Sequence, residues 1–165
     1  YVGSCRCVDE IAHNLSYVKM DIKGVETAGK FYADKKNGSD IMVEIEAEDI
    51  EIRSKYGSCT IDNLKGDVLE ISADNGSARM SDTVMLKSIK ATCEYGSIKA
   101  DNISAPNMVL FSKNGSVKAS IDASRDDFSR IYEISDLKDS YQSNDTDKDL
   151  IYGSEYGSAD ITFTK

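Results

Sequence analysis

Residues 52–63 read Ile52-Arg53-Ser54-Lys55-Tyr56-Gly57-Ser58-Cys59-Thr60-Ile61-Asp62-Asn63, and the pattern returns as Cys93-Glu94-Tyr95-Gly96-Ser97-Ile98-Lys99-Ala100-Asp101-Asn102-Ile103. The central glycine recurs at Gly38, Gly57, Gly76, Gly96 and Gly115, at spacings of 19, 19, 20 and 19 residues, and again at Gly157 after an insertion. A serine follows each: Ser39, Ser58, Ser77, Ser97, Ser116 and Ser158. Asparagine and tyrosine alternate before it, as Asn37, Tyr56, Asn75, Tyr95, Asn114 and Tyr156. A period near twenty residues marks a solenoid, whose repeats cannot bury an apolar face alone and must stack.

Counting from each glycine brings out columns. Four residues after it stand Met42, Ile61, Met80, Ala100, Ala119 and Ile161; seven before it stand Phe31, Ile50, Leu69, Ile89 and Met108; five before it stand Ala33, Ile52, Ile71, Ala91 and Leu110. Polar residues such as Glu51, Glu70, Lys90, Thr60, Arg79, Lys99 and Lys118 lie between them. This is the alternation of strands with one buried face. Each rung therefore carries two strands joined by a second polar turn such as Asp62-Asn63-Leu64-Lys65-Gly66-Asp67. Rungs about 4.8 Å apart pair in parallel and merge the apolar columns into one core. The predicted fold is all-β, a right-handed parallel β-helix or solenoid with rungs of about 19–20 residues, the hand following from the crossover rule.

At the corner, glycine tolerates a positive φ and asparagine tolerates it better than most residues, so the chain can turn sharply there. The serine is placed to hydrogen-bond freed backbone. A single domain spans 1–165: irregular N-terminal rungs or a cap over 1–37, regular rungs over 38–121, an irregular insertion over 122–149 and a final rung over 150–165. Within the first segment Gly3-Ser4 resembles a rung start, Val18 to Ile22 reads as a strand and Gly24 as a turn. Within the insertion Ile131 to Ile134 reads as a strand, followed by a surface loop from Ser140 to Asp149. Ala159 to Phe163 closes the stack.

The repeated units at residues 52–63 and 93–103 resemble an adhesin-like β-strand-repeat family of bacteria, a domain of unknown function expected to form a β-helix. The resemblance covers most of the chain and is clearest over residues 38–120. It implies a bacterial protein of the cell envelope, extracytoplasmic or surface-exposed, and supplies no catalytic residues. The chain opens at Tyr1-Val2-Gly3 without an initiator methionine. A leader, an anchor or another domain is expected upstream, and a membrane is contacted only through such a segment.

The composition narrows the partners. A net charge of −9 disfavours nucleic acid and anionic membrane surfaces, which require a basic patch. No apolar run approaches the roughly 20 residues that span a bilayer. Cys5 and Cys7 form a Cys-x-Cys pair that can offer two thiolates to a soft metal, but His13 is the sole histidine and no second pair follows. Counted by glycines, Cys59 and Cys93 stand two rungs apart, about 10 Å, beyond a disulfide's reach. All four read as structural free thiols, and neither metal nor cofactor is expected. Asp145-Thr146-Asp147-Lys148-Asp149 imitates the start of a calcium loop, yet Leu150 and Tyr156 occupy the positions of its obligatory glycine and glutamate, so a solvated acidic loop is expected.

No nucleophile elbow, zinc-protease, phosphate-loop or dinucleotide motif is present. The expected function is a noncatalytic, envelope-associated binding or scaffold module, adhesin-like in character, with a protein or carbohydrate partner. Its candidate ligand-binding residues are Asn37, Tyr56, Asn75, Tyr95, Asn114 and Tyr156, tyrosines stacking on sugars and asparagines bonding hydroxyls. The competing explanation is that these residues serve the turn and pack over their neighbours. Alternatives are a carbohydrate-active enzyme on a β-helix, or an intracellular structural or regulatory module. End rungs with unpaired edges allow weak self-association.

Overall fold

Alternating burial along the repeats is satisfied by stacking. A computed structural model describes residues 2–3, 10–15, 20–135 and 148–165, with side chains from residue 21 onward. Two parallel ladders run side by side. One is formed by β1 (Val2–Gly3), β3 (Met20–Glu26), β5 (Asp40–Tyr56), β6 (Cys59–Asn75), β7 (Ala78–Tyr95), β8 (Ile98–Ser104), β10 (Val117–Ile121) and β13 (Ala159–Phe163), in that order. The other joins β2 (Glu10–Leu15) and β4 (Lys30–Asn37) to the later halves of β5, β6 and β7, then to β9 (Asn107–Asn114), β12 (Asp149–Ser154) and β11 (Arg130–Ile134). The molecule is a parallel β-solenoid, as the repeat predicts.

The register follows the glycine count. Met42, Ile61, Met80 and Ala100 are successive partners in one ladder, and Phe31, Ile50, Leu69, Ile89 and Met108 in the other. All nine are buried. At about 1.5–3 kcal/mol for each large aliphatic side chain, these columns supply the main driving force for stacking. Ile161 and Phe163, on the terminal rung, are only half-buried.

Two features of the sequence reading change. The second turn is not a loop: β5, β6 and β7 each run unbroken through it while ladder pairing continues, as in Ile45 with Leu64 and Ala47 with Gly66. The bend is made by one residue per rung in the left-handed conformation: Gly24 (φ 68°), Glu44 (58°), Asn63 (54°), Asp82 (47°) and Asn102 (54°). That residue stretches the inward spacing from two to three, so Leu64, assigned to a polar turn, is fully buried three residues after Ile61. Val25, Ile45, Thr83 and Ile103 occupy the same column and are also buried.

The second change concerns the corner glycines. A positive φ is present at Gly38, Gly57 and Gly96, but not at Gly76 or Gly115. What the column shares is close approach. A Cβ on Gly57, Gly76, Gly96, Gly115 or Gly157 would stand 1.7–2.0 Å from the carbonyl oxygen of the preceding glycine in the column. Rungs can meet at ladder distance here only because no side chain intervenes.

The C-terminal end is reordered. β12 lies between β9 and β11, so the later strand fills the inner level and the earlier one caps it. Asp149 opens β12 and is buried rather than lying in a solvated loop; its carboxylate accepts two hydrogen bonds from Arg130, each 2.9 Å. Pairing that carboxylate is what allows its burial. Phe128, which follows a 3-10 turn at Arg125–Asp127, packs against Phe163 with ring centroids 6.0 Å apart and covers part of the terminal rung. Cys5, Cys7, Val18, Lys19 and the loop from Ser140 to Asp147 lie outside the described residues, as does the side chain of His13.

Candidate functional site

The corner of each rung exposes a short strip of chain around the glycine. Parallel register sets these strips above one another: Asn37 pairs with Tyr56, Tyr56 with Asn75, Asn75 with Tyr95 and Tyr95 with Asn114. The column is completed by Tyr156, whose N–H donates to the carbonyl of Lys113 at 2.9 Å. All six ladder residues are thus brought onto one line. Their side chains sit unequally: Tyr56, Tyr95 and Tyr156 are 46, 53 and 69% exposed, Asn75 is exposed, and Asn37 and Asn114 are half-buried. Tyrosines alternate with asparagines, so neighbouring rings lie two rungs, about 10 Å, apart.

The ladder has little freedom to deform. The Gly38 N–H donates to Tyr56 O at 2.8 Å and the Gly57 N–H to Asn75 O at 3.1 Å. The Ser97 and Ser116 N–H groups each donate to the hydroxyl oxygen of the preceding serine in the column, Ser77 and Ser97, at 3.1 Å, which bears out the backbone role of these serines. The amide of Asn114 donates to Glu94 O at 3.2 Å, so this asparagine does serve the turn. The tyrosines are different. No described residue hydrogen-bonds the hydroxyl of Tyr56 or Tyr95, and their rings are half in solvent. Lys55 Nζ stands 5.8 Å from the Tyr56 ring centroid.

Behind the corner the interior is inert. Cys59 and Cys93 are free and buried. Burial pushes both thiols up, with the Asp40 charge adding to the effect at Cys59, and Cys93 reaches about 11. They are nearer than the glycine count implies: the Cys93 thiol faces the backbone of Ala78, which is the ladder partner of Cys59. Lower in the same two inward columns stand Lys35, three rungs below Cys93, and Asp40, one rung below Cys59; they form a fully buried ion pair in which Lys35 also donates to Ser39 O at 3.0 Å. The signal for it was present in the repeat, as a lysine and an aspartate in otherwise small or apolar columns.

Two other features were not foreseen. β7 carries one extra residue, and its register shifts after Gly66; the bulge projects Leu86, 71% exposed, beside Val84. With Ala47 and Gly66 they line an open groove of about 450 Å³ at the second corner. On the outer face of the second ladder, Glu51 joins Lys30 at 2.7 Å and Arg53 at 2.6 Å, and the hydrogen bond from Lys30 holds its carboxyl below the usual range. Among the described residues no group of three histidine, cysteine or carboxylate side chains is arranged to hold a metal.

A family model described as Toastrack DUF4097 matches residues 7–158. Neither a curated protein nor a solved structure matches the chain.

Proposed function

The chain belongs to the Toastrack DUF4097 family, a domain of unknown function, and on that premise we propose that it is a noncatalytic binding or scaffold module of the cell envelope. Its rigid stack presents the Asn/Tyr ladder to a carbohydrate, with the tyrosine faces as stacking platforms. The observation that carries this reading is the exposure of Tyr56, Tyr95 and Tyr156 on one line, the first two held by backbone ladders and Tyr156 by the bond from its N–H to Lys113 O. An aromatic ring with an apolar face and a polar tip suits a sugar, whose own faces divide in the same way. Preorganisation matters because a stack that is already ordered loses little entropy on binding.

The described residues contain no helix long and apolar enough to cross a membrane. The test is a glycan panel read by calorimetry on wild-type protein and on Tyr56→Ala/Tyr95→Ala. Binding that falls at least tenfold while the urea midpoint stays within experimental error supports the ladder. Unchanged binding removes it as the site. Protease shaving of intact cells expressing the full-length protein tests the compartment, and protection of this domain in intact cells with cleavage after lysis would contradict surface exposure.

A further inference from the structure

We infer that the face beside the tyrosine ladder carries a column of three stacked cations, Arg79, Lys99 and Lys118, which directs the site toward anionic polysaccharide. The inference rests on the proposed function and names its ligand class. These residues stand three positions after their glycines and are direct ladder partners, Arg79 with Lys99 and Lys99 with Lys118. All three are exposed. Like charges directly opposite one another destabilise a sheet, and here they recur on three consecutive rungs about 4.8 Å apart. Fold stability therefore does not account for them.

Nor does local pairing. The chain carries 29 carboxylates against 20 cations, and cations elsewhere find partners: Lys87 with Asp67, Lys90 with Glu70 and Lys165 with Asp122. No described carboxylate lies within ion-pair distance of Arg79, Lys99 or Lys118. This holds although Asp101 is two residues from Lys99 and Asp160 is the ladder partner of Lys118. Three unneutralised positive charges in register are kept on a protein of net charge −9.

The neighbouring columns complete the surface. Between the cations and the tyrosines, along the same turn of chain, run Ser77, Ser97 and Ser116. The hydroxyls of Ser77 and Ser97 accept backbone N–H groups, and each retains its own proton to donate to an anion. An extended pyranoside chain laid along the stack advances by about one rung per sugar. Carboxylate or sulfate groups along such a chain then recur on the scale of the cation column, and its rings on the scale of the tyrosine spacing. A polyanion without pyranose rings satisfies the cations but not the tyrosines.

The experiment compares polygalacturonate, its methyl ester, heparin and single-stranded DNA, at low and physiological salt, with wild type, Arg79→Gln/Lys99→Gln/Lys118→Gln and Tyr56→Ala/Tyr95→Ala. Wild type is expected to bind at least one acidic polymer tenfold or more tighter than the neutral ester, with affinity that falls as salt rises. The glutamine variant, whose changes are all on the surface, is expected to fold normally and to lose that preference while keeping its affinity for the ester. Heparin binding without polygalacturonate binding assigns the site to sulfate, and the reverse assigns it to carboxylate; either supports the inference. Equal binding of acid and ester by wild type overturns the charge selection alone. DNA bound as tightly as the acidic glycans overturns the glycan assignment. Acidic-glycan binding that survives the tyrosine changes overturns the ladder reading and leaves the cations, and no glycan binding at all overturns both.

Discussion

Replacing Gly76 with alanine isolates what the glycine column is for. Gly76 does not adopt a left-handed φ, so its backbone suits alanine and only space is at issue. The new Cβ would lie 1.9 Å from Gly57 O, 2.5 Å from Gly57 C and 3.2 Å from Ser58 N, all backbone atoms held in a ladder. Relief requires the two rungs to part by more than about 1 Å, since non-bonded heavy atoms sit best near 3.5 Å. The hydrogen bonds from Gly57 N–H to Asn75 O (3.1 Å) and from Cys59 N–H to Ser77 O (2.9 Å) flank the site and would leave bonding range. Two such bonds at about 1 kcal/mol each, with about 1–3 kcal/mol of overpacking, less about 0.5 kcal/mol gained from a stiffer unfolded chain, give a loss of about 2.5–4.5 kcal/mol.

Gly24→Ala is the control. Gly24 has φ 68° and nothing within 4 Å of its absent Cβ, so it suffers only the left-handed penalty of about 1–2 kcal/mol, partly offset by the same unfolded-state gain. Urea unfolding followed by far-ultraviolet circular dichroism measures both. Gly76→Ala is expected to be the more damaging, by about 1–4 kcal/mol on the same estimates. Equal losses, or the reverse order, would refute the close-approach argument.

Further outcomes follow from other columns. Glu44 is strained at φ 58° and its pairing with Lys23 is exposed and 3.8 Å long, so Glu44→Gly is expected to raise stability by roughly 0.5–1 kcal/mol in the same assay. Lys35→Ala leaves the Asp40 carboxylate buried without its cation and is expected to cost about 3–5 kcal/mol; Lys35→Ser/Asp40→Cys, which copies the residues of the next rung, is expected to recover most of that. Ellman's reagent is expected to leave Cys59 and Cys93 untouched in native protein and to titrate both in urea. Their raised thiols also set a pH window: the folded state keeps protons that the unfolded state releases above about 9, so stability is intact below that pH and falls above it by up to about 1.4 kcal/mol per unit for each thiol. Cys59→Ala, which installs the side chain that Ala78 carries one rung away, should flatten the decline measured by urea midpoints between pH 8 and 10.

The repeat count was enough to place most of the core because a parallel ladder converts sequence spacing directly into stacking. It correctly put Leu69 over Ile50 and Tyr95 over Asn75. It failed where one left-handed residue changes the inward spacing from two to three, which hid Leu64 and its column; the apolar pair at i and i+3 around Asn63 was the available clue. It was silent on the strand order at the end of the stack, because nothing local distinguishes a strand that pairs with its predecessor from one that skips a level, as β11 and β12 do. The alternating ladder was fully legible as a line of residues. The cation column was legible as outward polar positions, and only the ion-pair distances separated Lys99 from a partnered surface lysine such as Lys90.

Everything proposed for the site depends on Tyr56 and Tyr156, a hundred residues apart in sequence, belonging to one line four rungs long. Nitroxides attached through Tyr56→Cys and Tyr156→Cys, with Cys5 and Cys7 changed to serine and the buried thiols left in place, report that distance by pulsed electron-electron double resonance. A single narrow population centred near 19 Å, four rungs of about 4.8 Å, is the predicted result. A broad distribution centred well beyond it would contradict the stacked ladder and the binding surface built on it.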